Sequence, residues 1–305
     1  MVWGLVRVRI GLLADEMGPS LDTVIEQCRA AATAGFAGVW LGQRTGRDAL
    51  TTLAVAGRQA PGIELGTTAV PTYPRHPLAL AAQALTVQEA VSGRLSLGVG
   101  VSHQHIIEDQ YGYSFDRPAR HLREYLSALV PLLRGESVTY QGETLKAVGA
   151  VDIPAAARPS VLVAALGPAM LRVAGELSDG AITLWATAAS LADHVVPAIT
   201  RAAGRGHPRV IASTFVCVTS DQDARRAWVN EHFGMAGQLP AYRAMLDRGH
   251  AAGPQDTVVI GDETVVERQI RQLSDAGATD LLAMLLGPEE EQARTTQLLA
   301  DLAAG

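Results

Sequence analysis

Four times along this chain a helical pattern runs straight into an apolar, β-prone run. The junctions have two residues and end in glycine: Ala34-Gly35, Ser92-Gly93, Asp179-Gly180 and Ala276-Gly277. Glycine just past a helix supplies the conformation that stops it, and such short αβ turns are typical of repeating β/α units. Strands joined through a helix run parallel, with a right-handed crossover. The most legible unit is residues 63–103. Residues 63–70 (IELGTTAV) form an apolar run rich in β-branched side chains, closed by Pro71, Thr72, Tyr73 and Pro74. Proline lacks the N–H that a ladder needs, so the strand stops there. Residues 77–91 carry Leu80, Ala84, Leu85, Val87 and Val91 at helical spacing, and residues 94–101 are apolar again, with Gly98 and Gly100. The unit places the loop 70–77 and the pair Ser102, His103 on one sheet edge, where α/β proteins bind ligands.

The rest of the chain repeats this logic. Further strands are expected at 8–14, 36–41, 160–165, 180–185, 209–219 and 280–285. Helices are expected at 20–34, with Ser20 as cap, and at 48–60 and 118–133, the last bent or ended by Pro131. Others follow from Gly167-Pro168 to about 178, and at 191–203, 264–276 and 289–302. Residues 104–116 and a mostly helical stretch to about 250 are insertions after the fourth and seventh strands. Residues 136–148 read as a hairpin turning at Gln141-Gly142, followed by an Ala- and Pro-rich linker, 149–159. Eight strands alternating with helices in 305 residues point to an α/β chain folded as a closed (β/α)8 TIM barrel rather than a doubly wound sheet. The expected organisation is a single domain over 1–305, with residues 1–6 a disordered extension.

Composition narrows the partners. A net charge of −6 and no basic run argue against nucleic acid. The apolar N-terminus is interrupted by Arg7 and Arg9, closed by Asp15-Glu16, and far short of the ~20 residues of a membrane span; it has no A-x-A-like cleavage site. The two cysteines, Cys28 and Cys217, read as buried thiols in a reducing cytoplasm. The expected partners are a small-molecule substrate and a second copy of the chain, with no nucleic acid and no membrane.

Every strand of such a barrel points its C-terminal end at the active site. No facing pair of carboxylates stands at these ends, which argues against a glycosidase. His103 and His105 form H-x-H and invite a metal-hydrolase reading, but the fifth and sixth strands end in Ala164-Ala165 and Leu184-Trp185, which supply no further ligands, so no metal is expected. Gly98-Val99-Gly100 lacks the third glycine of a dinucleotide fingerprint, since His103 holds that place. Glycines inside a strand admit something bulky, either a flat ring or a neighbouring core side chain. Ala164 to Pro168 reads as strand, tight turn and helix N-terminus, which suits an anion or an ordinary proline-started helix.

Together GTTAVPTYPRHP (66–77), GRLSLGVGVSH (93–103), FDRPARHLREYLSALVPLLRGESVTYQGE (115–143) and AALGPAMLRVAGELSDGAI (164–182) resemble the luciferase-like monooxygenase superfamily, in its branch of oxidoreductases using coenzyme F420, an 8-hydroxy-5-deazaflavin. The resemblance spans nearly the whole chain. It implies a TIM barrel with the flavin or deazaflavin across the C-terminal mouth. It implies that 66–70 forms a bulge behind the tricyclic ring, with a cis bond between Thr68 and Ala69. By the same resemblance Val101, Ser102 and His103 lie near the ring and the reacting carbon, and Gly167 and Pro168 bind the ribityl phosphate. Two positions depart from the pattern. Gln43 and Arg44 stand where many relatives have an acidic residue and a histidine, so no acid/base role carries over. His103 stands where the sugar-phosphate dehydrogenases have a catalytic glutamate, which argues against sugar-phosphate oxidation.

The function implied is hydride transfer between the deazaflavin C5 and a small organic substrate, reducing a C=C or C=N bond. His103 is the catalytic proton donor, with Glu16 and Tyr113 in reserve. The alternatives are an FMN-dependent monooxygenase, a deazaflavin-binding protein without turnover, and a metal-dependent hydrolase.

Overall fold

The computed structural model describes residues 8–14, 18, 20–44, 46–153 and 157–305. The expected extension at 1–6 and the reserve donor Glu16 lie outside the described residues. The strands are β1 (Arg9–Leu13), β2 (Gly38–Leu41), β3 (Glu64–Thr67), β4 (Val70–Pro71), β5 (Leu95–Gly100), β6 (Val138–Gln141), β7 (Lys146–Gly149), β8 (Ser160–Ala164), β9 (Gly180–Leu184), β10 (Arg209–Val218), β11 (Val259–Gly261) and β12 (Asp280–Leu285). Eight parallel strands close a ring in the order β10-β12-β1-β2-β3-β5-β8-β9, with β9 pairing back onto β10. This is the expected TIM barrel. The expected third strand is split into β3 and β4, and β6 and β7 form the expected hairpin. Short β11, paired with the end of β10, had no sequence signal, because three residues are too few for an alternating pattern.

The helices are α1 (Leu21–Thr33), α2 (Ala49–Gly57), α3 (Pro77–Ala90), α4 (Pro118–Leu133), α5 (Pro168–Leu177), α6 (Ala188–Ser190), α7 (Val196–Ala203), α8 (Gln222–Phe233), α9 (Pro240–Arg248), α10 (Glu263–Asp275) and α11 (Glu289–Ala304). Local chemistry sets their starts. The side chains of Ser20, Asp48, Asp221 and Asp262 each accept a hydrogen bond from the backbone of their helix's first turn. Pro131 sits inside the last turn of α4 without ending it before Leu133. No helix among the described residues is long and apolar enough to cross a membrane.

Alternate residues of each barrel strand face the axis and stack in layers. Trp40, Leu162, Ile182, Ile211 and Leu282 form the middle layer. Trp40 is large because its neighbours are small. A Cβ on Gly66 would stand 2.1 Å from the indole, and one on Gly38 3.0 Å from its nitrogen. Gly98 belongs to the same economy: its Cβ would meet the Thr67 carbonyl oxygen at 1.9 Å and Ile182 at 2.7 Å, so this glycine makes room for core neighbours rather than for a ligand.

Beneath Trp40 the barrel floor is ionic. Arg209 reaches Glu64 at 2.8 Å and Asp280 at 2.6 Å, its guanidinium lies 5.8 Å from the Trp40 ring centroid, and Arg9 and the Ser96 hydroxyl also bond Glu64. Burial pushes the Glu64 carboxyl up, but the hydrogen bonds and charge of Arg209, then Ser96 and Arg9, outweigh it and hold the group below its ordinary value.

Removing one member of a largely buried ion cluster strands the others. Arg209→Met is expected to cost about 2–4 kcal/mol in urea unfolding at pH 7, with Arg9 limiting the loss. In the native chain the Glu64 contribution is full above the unfolded carboxylate value and is lost as pH falls through the lower folded value. In the variant the largest influence lowering Glu64 is gone, so its carboxyl titrates higher than in the native chain and less stability is lost as pH falls. The gap between the two proteins therefore narrows as pH falls; a gap independent of pH would contradict this account.

Candidate active site

The mouth is built first by the break between β3 and β4. The Thr68–Ala69 bond in that break is cis, as expected. Where the two strands part from β5, Thr67 replaces the lost ladder. Its hydroxyl donates to the Gly98 carbonyl at 2.8 Å and accepts from the Gly98 N–H at 2.9 Å. The ladder resumes with Thr72 N–H donating to Gly100 at 2.9 Å. The break brings Ala69 over β5. A Cβ on Gly100 would lie 3.6 Å from the Ala69 methyl and 3.1 Å from that of Ala164. Ala164 follows inward-facing Leu162 by two residues, yet it is exposed, so the mouth is open above it. Ala69, Gly100 and Ala164 thus make a low shelf on three strand ends.

Val101, Ser102 and His103 leave β5 beside this shelf, all half-buried. Ser102 has φ +61, a left-handed backbone that costs a non-glycine residue about 1–3 kcal/mol. Its consequence is a sharp exit into a π-helical turn, Ile106–Gln110, whose first N–H groups donate to the His103 carbonyl oxygen at 3.0 Å. That turn begins the expected insertion after the fourth barrel strand. His103 stacks near His105 with ring centroids 6.0 Å apart, and its Nε2 shares a 3.4 Å hydrogen bond with the Tyr242 hydroxyl. Burial, and then the neighbouring His105, hold the His103 imidazole below its ordinary value. Burial pushes the Tyr242 phenol up to about 12, partly offset by Arg44, so it stays a hydroxyl at neutral pH.

Tyr242 comes from α9, in the insertion after the seventh barrel strand. Sequence reasoning missed it, since a tyrosine in a short amphipathic helix carries no sign of what it will face. Tyr113, a reserve donor, is exposed and packs with Tyr73 at 6.4 Å; the hydroxyl bonded to His103 is that of Tyr242. Tyr73 itself stacks on His121 at 3.8 Å, and the Thr72 hydroxyl bonds His121 Nε2 at 3.0 Å. Burial drives His121 down to about 4, so this buried ring stays neutral while it fixes the loop after β4 onto α4. Gln43 has a structural role: its Oε1 accepts from the Ala49 N–H at 3.2 Å at the start of α2.

Past the shelf, Gly167 and Pro168 open α5. Gly167 is the N-cap, has no side chain to offer, and faces open space, so the N–H groups and positive dipole of a ten-residue helix are uncapped there. His194 Nε2 holds the preceding Leu166 carbonyl at 2.9 Å. Among the described residues no three His, Cys, Asp or Glu side chains stand together to hold a metal ion.

A family model described as luciferase-like monooxygenase matches residues 2–291. The 5,10-methylenetetrahydromethanopterin reductase of Methanolobus tindarius is 30% identical over 283 residues, covering 90% of this chain and 86% of that protein. An F420-dependent glucose-6-phosphate dehydrogenase of Nakamurella multipartita is 30% identical over 276 residues, covering 84% of this chain and 78% of that one. The solved structure of a coenzyme F420 dependent tetrahydromethanopterin reductase from Methanopyrus kandleri shares the fold, with a TM-score of 0.78 at 20% identity over 98% of this chain and 99% of that one.

The histidine pair makes a directional prediction. His103 is expected to titrate below the ordinary imidazole value in a proton NMR titration, and His105→Asn, which removes a neighbouring positive charge, to raise it. An unmoved His103 resonance would show that the two rings do not interact.

Proposed function

The chain belongs to the luciferase-like monooxygenase family, and we propose that this oxidoreductase uses coenzyme F420 to reduce a C=C or C=N bond of a small organic substrate. The observation that carries the reading is the low shelf of Ala69, Gly100 and Ala164, set between His103 and the uncapped start of α5. The Nakamurella multipartita relative, 30% identical over most of the chain, is named as F420-dependent, and so is the Methanopyrus kandleri reductase that shares the fold.

The residues fit a deazaflavin. The shelf, which includes Ala69, offers a flat apolar support for a tricyclic ring and is flanked by Thr68, Val101 and Ser102. Gly167 and Pro168 would hold its phosphate on the N–H groups of α5. When bound, the reduced cofactor supplies a hydride, and the protein is left to orient the substrate, keep water out and deliver one proton. His103 is the proton donor. The hydrogen bond between its Nε2 and the Tyr242 hydroxyl fixes the ring's orientation. A pKa below the ordinary value makes its protonated form a stronger acid, at the cost of a smaller protonated fraction at neutral pH.

Fluorescence titration is expected to show tighter binding of the deazaflavin than of FMN; binding of FMN alone would favour the flavin-dependent monooxygenase instead. His103→Ala and His103→Gln are both expected to lower turnover by ~10²–10⁴-fold with cofactor affinity nearly unchanged. Native turnover should fall as pH rises through the folded His103 value, because the donor loses its proton there. Equal turnover in the native enzyme and His103→Gln removes the proton-donor role.

A further inference from the structure

Beside the shelf, on the next two strands round the mouth, two buried hydrogen-bond donors have no partner among the described residues. Trp185 follows β9 and is 3% exposed; Ser213 lies in β10 and is 6% exposed. Among the described residues, neither the Trp185 indole N–H nor the Ser213 hydroxyl meets an acceptor. The two residues are neighbours, since Ser213 pairs with Leu184 and its carbonyl accepts from the Trp185 backbone N–H at 3.4 Å. Ser213 follows Ile211 of the middle layer by two residues, so its side chain faces the barrel axis one layer higher, toward the mouth.

The backbone is bent to hold this arrangement. Trp185 has φ +56, a left-handed conformation that is an outlier for a bulky side chain and one that clusters at functional sites. The indole packs against Tyr242 at 4.6 Å and Phe233 at 6.1 Å, both from the insertion after β10. Tyr242 continues the wall to His103 at 5.4 Å. The two buried donors and the His103 imidazole therefore belong to one aromatic lining.

We propose that Trp185 and Ser213 bind the carbonyl oxygen of the substrate, and that the substrate is a compact, uncharged α,β-unsaturated carbonyl compound packed against Tyr242. This rests on the reading of the site as a deazaflavin-dependent reductase. The indole N–H can only donate, and it calls for an acceptor. Trp185, Ala186 and Thr187 carry no charge, and neither do Leu286, Gly287 and Pro288 at the end of β12, so the adjacent strand ends do not select a charged group. An unsaturated carbonyl compound uses all three parts. The substrate gains a hydride at its β-carbon, from the reduced deazaflavin, which is oxidised by those two electrons. The C=C electron pair moves toward the carbonyl, and the negative charge collects on its oxygen, where the two donors stand. One proton, from His103, then completes the new C–H bond at the α-carbon. A cyclic imine offers a single nitrogen lone pair, so it satisfies at most one of the two donors, whereas a carbonyl oxygen has a lone pair for each.

The test uses cyclohexanone as a non-reacting ligand and cyclohex-2-enone as substrate. Binding of cyclohexanone to the full chain is read by saturation-transfer NMR, with methylcyclohexane as the control for shape. Trp185→Phe keeps the ring and loses the N–H; Ser213→Ala loses only the hydroxyl. Each is expected to weaken cyclohexanone binding about three- to tenfold, leaving methylcyclohexane and deazaflavin binding unchanged. Each should also lower turnover of cyclohex-2-enone by ~10–10²-fold, because the charge on oxygen develops in the transition state. Unchanged cyclohexanone binding and enone turnover in the Ser213→Ala variant and in Trp185→Phe would overturn the proposal. So would an equal loss for methylcyclohexane, which would make both residues packing groups. Deazaflavin binding separates this result from the parent reading: a native protein that binds deazaflavin but not cyclohexanone loses the carbonyl site and keeps the reductase, whereas one that does not bind deazaflavin loses both.

Discussion

The barrel depends on one side chain that crosses it. Arg209 stands at the start of β10, and in the ring of eight strands β3 lies directly opposite. Its guanidinium bonds Glu64 on β3 and Asp280 on β12, and lies near the Ser96 hydroxyl of β5 at 3.3 Å. Parallel barrel strands are tied to their neighbours by ladders, but nothing in a ladder fixes the width of the ring. A planar cation with donors on both sides does so, because each carboxylate must meet it at hydrogen-bond distance. Above it, Trp40 fills the space released by glycines on β1, β2 and β3. The lower half of the barrel is thereby closed and packed, and the chemistry is left to the upper rim.

The rim uses the opposite strategy. In place of filled layers it has Gly100, Ala69 and Ala164, and a break in the third barrel strand that the Thr67 hydroxyl repairs on one side only. Two residues there, Ser102 and Trp185, hold left-handed backbones on strands that stand apart in the ring. Such conformations survive only where surrounding packing over-determines them. For Trp185 the insertion after β10 supplies that packing through Tyr242 and Phe233, and Ser102 lies beside the shelf. The division of labour between a rigid base and an adaptable mouth is what lets barrels of one fold carry different chemistries.

His103, the proposed proton donor, shows how the parts depend on one another. His103 leaves β5, but its environment comes from elsewhere: His105 from the following turn, Tyr242 from α9. Burial by the α9 insertion and a like-charged neighbour both favour the neutral ring. An imidazole at the same sequence position without that insertion would be a solvated loop histidine.

The sequence by itself determined the fold and the local turns from which the candidate site is built. Gly-terminated helices and proline-stopped strands are local chemistry, so the eight barrel strands and the hairpin at β6 and β7 were legible, whereas the break at Thr68 and Ala69 was expected only from the family resemblance. Gly167 and Pro168 were legible for the same reason, since a helix start is written in a few adjacent residues. What tertiary structure decided is whatever joins distant segments. The partnership of Tyr242 with His103 spans 139 residues and leaves no periodic trace. Gly98 could have been read as a ligand groove; only packing against Thr67 and Ile182 shows that it serves the core. Trp185 and Ser213 look in sequence like one more aromatic and one more small polar residue of buried strands. Their lack of partners is a property of the space around them, and a sequence does not specify that space until the ring has closed.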